Sequence, residues 1–114
     1  MNSELWYELP PDMSMWNNVV LENIARKIPG IPSFISSITW SRIDPATGDA
    51  EGMIDLLNGV ASAPIIVKGN KLAPVDIVAV KGNTNDVKFY PLSPLFLDKI
   101  YADNVLGEPA QRTT

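Results

Sequence analysis

An α+β fold is what this sequence predicts: a small antiparallel or mixed sheet of four to five strands with an N-terminal and a C-terminal helix. Three observations predict it. Apolar residues recur at helical spacing only toward the two ends, at Trp16, Val19, Val20, Ile24 and Ile28 and again at Phe96, Leu97, Ile100 and Tyr101. Between them lie strand-length runs rich in Val, Ile, Thr and Trp, notably residues 33–43 and 71–80. The connections between those runs are short and polar, which suits antiparallel pairing and leaves no room for the crossover helices of a parallel sheet.

Residues 1–11 read as an extended arm, because Pro10-Pro11 cannot sit inside a helix and bias Leu9 toward extended geometry. A single domain is expected over 12–106, with 107–114 as a flexible tail. Asp12 or Ser14 caps the first helix, and Pro29-Gly30-Ile31-Pro32 ends it. In the following run, strict alternation sets Phe34, Ser36, Ile38, Trp40 and Arg42 on one side and Ile35, Ser37, Thr39, Ser41 and Ile43 on the other. "DPATGD" fits a four-residue hairpin loop with Asp44 opposite Asp49, in which Gly48 supplies a positive φ. Residues 50–58 alternate as a strand at Ala50, Gly52, Ile54 and Leu56, although Met53, Ile54 and Leu57 before Asn58-Gly59 also fit a short capped helix; the strand is preferred.

Next, "GVASAP" reads as a loop of small residues and Ile65-Ile66-Val67 as a short strand that could accept a partner's strand, since Pro64 guards only its start. "KLAPVDIVAV" reads as a central strand buried on both sides except where it begins. "GNTND" is then a turn into an edge strand "VKFYP", whose Lys88 and terminal proline discourage uncontrolled pairing. Ser93 as N-cap and Pro94 at N1 start the last helix.

The composition excludes much chemistry. With no cysteine and no histidine, the chain lacks thiolate nucleophiles, disulfides, the usual general base near neutral pH and the commonest metal ligand. Nine basic residues are scattered against thirteen acidic ones, a net charge of -4, so no counterion-releasing stripe for nucleic acid is visible. No apolar run reaches the ~20 residues that span a bilayer, and the first residues lack a signal peptide's pattern. The expected location is therefore cytoplasmic, or inside an assembled particle.

No catalytic, cofactor-binding or metal-binding residues are expected. Asp44, Asp49, Glu51 and Thr47 are hard oxygen ligands, but Pro45-Ala46 occupy positions where a calcium loop needs donors. Asp55 and Asp76 are the pair to weigh for a carboxylate-dependent hydrolase, without the D-T-G or D-S-G loop such sites use. Ser62 and Ser93 lack a nucleophile elbow, and the glycines lack phosphate-loop spacing. Asp76 is expected to be a structural carboxylate that marks where the apolar ladder begins. Trp6, Tyr7 and Leu9 are the candidate partner-binding residues, because adjacent aromatics on an arm set apart by Pro-Pro suit docking on another protein.

These observations lead to an expectation of a non-enzymatic structural or interaction protein, a small acidic subunit of a larger assembly, with a bacteriophage or prophage particle as one setting. Its partner is another protein or a second copy of itself. The alternative is a small ligand-binding or regulatory module with a pocket near Asp76, Lys88 and Tyr90, and a minimal carboxylate-dependent hydrolase stands third.

Overall fold

The computed structural model describes residues 6–82 and 85–103. The order of regular elements is strand β1 (Tyr7–Glu8), helix α1 (Trp16–Ala25), strands β2 (Ile35–Asp44), β3 (Asp49–Leu56), β4 (Ala61–Lys68), β5 (Lys71–Leu72), β6 (Ile77–Val80) and β7 (Lys88–Pro91), and helix α2 (Phe96–Ala102). The fold is α+β, and among the described residues its antiparallel sheet has seven strands, more than the four to five expected. Two additions account for the difference. The arm contributes β1, and the long apolar run divides into β5 and β6.

β4 is the centre of the sheet. It pairs with β3 along its whole length, and on its other side with β5 near one end (Val67 with Leu72) and with β6 near the other (Ala61 with Val80). β1 extends the sheet beyond β5, β7 beyond β6 and β2 beyond β3. The small residues Ala61, Ser62 and Ala63 are therefore strand rather than loop, and Ile65-Ile66-Val67 is interior rather than a free edge. Small side chains fit this position because Ala61 and Ala63 are fully buried between sheet and helices, where bulk would overpack the core.

The two helices cover one face of the sheet. Val20, Ile24 and Trp16 of α1 and Phe96 and Ile100 of α2 pack with Ile54, Leu56, Ile65, Val67, Leu72, Val78 and Val80 into one core. At the start of α1, Asp12 caps a 3-10 turn at Met13–Met15, accepting hydrogen bonds from the hydroxyl (2.8 Å) and backbone N–H (3.0 Å) of Ser14. Those two donors hold the Asp12 carboxyl below the usual carboxylate range, chiefly through the hydroxyl. α2 begins two residues later than Ser93 and Pro94 suggest, with Leu95 as N-cap, so that Phe96 and Ile100, one turn apart, enter the core.

Strict alternation fails in β2. Register shifts fall between Ile35 and Ser37 and between Trp40 and Arg42, so two bulges reset the phase of the strand. As a result Ile35, Ile38, Trp40 and Ile43 all pair with buried β3 residues on the helical face, and Ser37, Thr39 and Arg42 take the other face. Trp40 meets Trp16 edge to face at 5.2 Å and donates its Nε1–H to Asn17 Oδ1 at 2.9 Å. Gly52, opposite Trp40, is kept open by close approach: a Cβ there would lie 2.5 Å from the Thr39 carbonyl oxygen.

The run "KLAPVDIVAV" is broken rather than continuous. Ala73 still donates its N–H to Ile66 O of β4 at 2.9 Å, Pro74–Asp76 then leave the ladder between β5 and β6, and the buried Asn23 of α1 accepts a hydrogen bond from the displaced Val75 N–H at 3.3 Å. Beyond the break Val78 and Val80 are buried while Ile77 is 48 % exposed, so one face of this strand is covered and the other is open. Proline explains the break, since Pro74 has no N–H to give the ladder.

Candidate interaction surface

The face of the sheet away from the helices has no layer over it among the described residues. On it β7, β6, β4 and β3 bring together Phe89, Ile77, Ile66 and Met53, which are 71, 48, 44 and 42 % exposed. The register makes them neighbours: Phe89 lies opposite Ala79, Ile77 opposite Pro91, Met53 opposite Pro64, and Ile66 opposite Glu51. Where β5 and β6 separate, Pro64, Ile66, Ala73, Pro74, Asp76 and Ile77 line a shallow, mostly apolar depression of about 180 Å³. Isolated exposed apolar side chains are ordinary, whereas a contiguous group on one sheet face is the pattern of a contact surface.

Polar residues border this patch. Ser37 donates its hydroxyl to Asp55 Oδ2 at 3.1 Å, and Arg42 lies 3.9 Å from Glu51, both groups well exposed. Trp6 sits beside Lys68 and Lys71 toward the opposite end of the sheet, 40 % exposed.

The three arm residues divide. Tyr7 pairs with Leu72 and lies under the Arg26 guanidinium, 5.5 Å from its ring centre. Leu9 is buried in the domain's own core, its N–H donates to Asn70 O at 2.9 Å, and the carbonyl of Pro10 accepts the Trp16 indole N–H at 2.9 Å. Only Trp6 keeps a large open surface.

Asp76 lies at the strand break with 61 % of its side chain exposed, ion-paired with Lys27 just beyond α1. Its carbonyl accepts a hydrogen bond from Leu92 N–H at 2.7 Å, which joins the break to the end of β7. Asp55 and Asp76 are not brought together: Asp55 is held by Ser37 on the open face, Asp76 by Lys27 at the helical layer. In the acidic hairpin, Asp44 accepts from Ala46 N–H at 3.0 Å and Asp49 from Gly69 N–H at 2.9 Å, so these carboxylates close turns. Among the described residues no three acidic side chains converge as a cation site.

Tyr90 itself is buried where the sheet meets α2. Tyr90 stacks edge to face on Phe96 at 6.4 Å, and its hydroxyl donates to Asp103 Oδ2 at 2.7 Å, which with burial pushes the phenol above its ordinary range. Lys88 is exposed at the edge of the sheet opposite Val80.

Sequence reasoning missed the patch because its members come from four strands. Each looked like half of an ordinary alternating run, and only the register shows that the exposed halves are adjacent. Comparison of the chain with protein-family models, curated proteins and solved structures finds no match in any of the three. Among the described residues no helix is long and apolar enough to cross a membrane.

Proposed function

We propose that this chain is a non-enzymatic interaction protein, a small acidic subunit that works inside a larger assembly through its uncovered sheet. The observation that carries this reading is the group Phe89, Ile77, Ile66 and Met53, exposed together on a sheet face that no helix covers among the described residues. Apolar area of that kind gains free energy when a partner removes it from water, at roughly 25 cal/mol per Å². The adjoining depression at Pro64 and Pro74 suits one protruding apolar side chain of that partner. Catalysis has less support, because Asp44, Asp49, Asp55 and Asp76 are each engaged with a local partner.

Sedimentation of the tagged chain in extract from its own cells tests the reading. The expected result is migration well above the mass of a dimer, reduced by the double substitution Ile77→Lys and Phe89→Asp. Migration at the mass of the free chain or its dimer, indifferent to those substitutions, overturns it.

A further inference from the structure

We infer that the β2 edge is a self-association site, at which two copies of the chain pair antiparallel about a two-fold axis at Thr39 and join their sheets into one. This rests on reading the sheet as the working surface, but it assigns a different part of it. β2 is ten residues long and pairs with β3 alone among the described residues, so its other side presents ladder groups. It carries no proline and no lysine, two residues that commonly blunt such an edge; its one cation is Arg42, and its two bulges lie either side of Thr39.

The strand matches its own reverse. Positions on β3 give the steps along the ladder: Ile38 and Trp40 lie one step either side of Thr39, Ser37 and Arg42 two steps, Ile35 and Ile43 three. One bulge within each half makes this possible, since four residues on either side then cover three steps. Under the two-fold, Ile38 therefore meets Trp40 of the second copy and Ile35 meets its Ile43, all on the helical face. On the open face Arg42 comes against Ser37 of the second copy, whose hydroxyl is already bonded to Asp55. Arg42 would thus exchange a long, solvent-exposed contact with Glu51 for a carboxylate across the interface, a complementarity of charge that occurs twice by symmetry.

Exposure points the same way. Phe34, just before β2, and Ile43, near its far end, are 40 and 43 % exposed, and each end is where the other end of a second copy arrives. The backbone is also in phase. The Thr39 carbonyl lies toward Gly52 of β3, so the groups turned outward at the centre belong to Ile38 and Trp40, and the two Thr39 residues form the close, non-hydrogen-bonded pair.

That pairing is directly testable because the chain has no cysteine. Two residues in a non-hydrogen-bonded pair sit with Cα atoms about 4.5 Å apart, within the ~4.4–6.8 Å span of disulfides. Thr39→Cys is expected to give a disulfide-linked dimer under mild oxidation, whereas Met53→Cys, one strand further in on the same face, stays unlinked. Light scattering of the unmodified chain is expected to give twice the 12.5 kDa of the chain at high concentration. Thr39→Lys, which sets two like charges directly opposite each other, is expected to return it to monomer with its circular dichroism unchanged.

A monomer at about 1 mM, the weak end of the affinity scale, overturns the proposal. So does a dimer that survives Thr39→Lys, or one that links through Met53→Cys instead. None of these outcomes bears on migration in a heavier cellular assembly, so failure here and failure of the proposed function are separable.

Discussion

Asp76 and Asn23 serve the same strand break in opposite surroundings, and the difference sets what each substitution costs. The Asp76–Lys27 pair is largely in water, with side-chain exposures of 61 and 27 %, so its attraction is screened. Asp76→Ala is expected to change the unfolding free energy by less than about 1 kcal/mol, read from urea denaturation at neutral pH. Asn23 is completely buried, and its Oδ1 is the acceptor for the Val75 N–H that the break removes from the ladder. Asn23→Ala strands that amide and is expected to cost about 1–3 kcal/mol by the same measurement. Asn23 Nδ2 has no hydrogen-bond partner among the described residues, and nothing in the structure explains it. The carboxylate that draws the eye in the sequence is thus the lesser contributor, and the amide inside a helix pattern is the greater.

Among the elements, the β2–β3 hairpin is held by the close passage of Thr39 and Trp40 over Gly52. Gly52→Ala puts a methyl group 2.5 Å from a carbonyl oxygen that cannot swing aside, with the Trp40 ring 3.1 Å away. The expected cost is at least about 1–3 kcal/mol, seen as a lower urea midpoint together with altered tryptophan fluorescence. The hairpin itself was legible in the sequence, since "DPATGD" places Asp44 opposite Asp49 with Gly48 at φ 78°. The helices were legible from their spacing as well, because burial of a helical stripe leaves a strong periodic mark. What alternation could not show is where it stops: the bulges at Ser36 and Ser41 and the break at Pro74–Asp76 each shift the phase, and they depend on neighbours distant in sequence. The open patch was hidden for the same reason, being a property of register among four strands.

α2 offers a test by pH. Its last turn is tied to β7 by the Tyr90 hydroxyl, which donates to Asp103. A phenol raised in the folded state stabilises the fold fully below its unfolded pKa of about 10, and that contribution is lost as pH rises through the higher folded value. Tyr90→Phe is therefore expected to be less stable than the parent at pH 8 and to lose less stability than the parent between pH 8 and 11, as followed by thermal denaturation.

Over the whole molecule the β1 and β2 edges of the sheet are finished differently. At the β1 end the arm closes the sheet with material of its own: Tyr7 and Glu8 pair with β5, Leu9 enters the core, and Pro10 accepts the Trp16 indole N–H. At the β2 end a ten-residue strand has a neighbour on one side only among the described residues. An arm that looks, in sequence, like a device for reaching another protein is paired from Tyr7 to Pro10 with its own domain, while the surfaces proposed above for partners are the open face and the far edge. Deleting residues 1–11 separates these roles. The loss of Leu9 alone should lower stability by about 2–5 kcal/mol, the usual cost of emptying a buried leucine site. Because the β2 edge is at the opposite end, the truncated chain is expected to keep the parent's mass in light scattering at any urea concentration where it remains folded. A truncated chain that stays folded but loses self-association would instead place the contact at the arm, with Trp6 as its anchor.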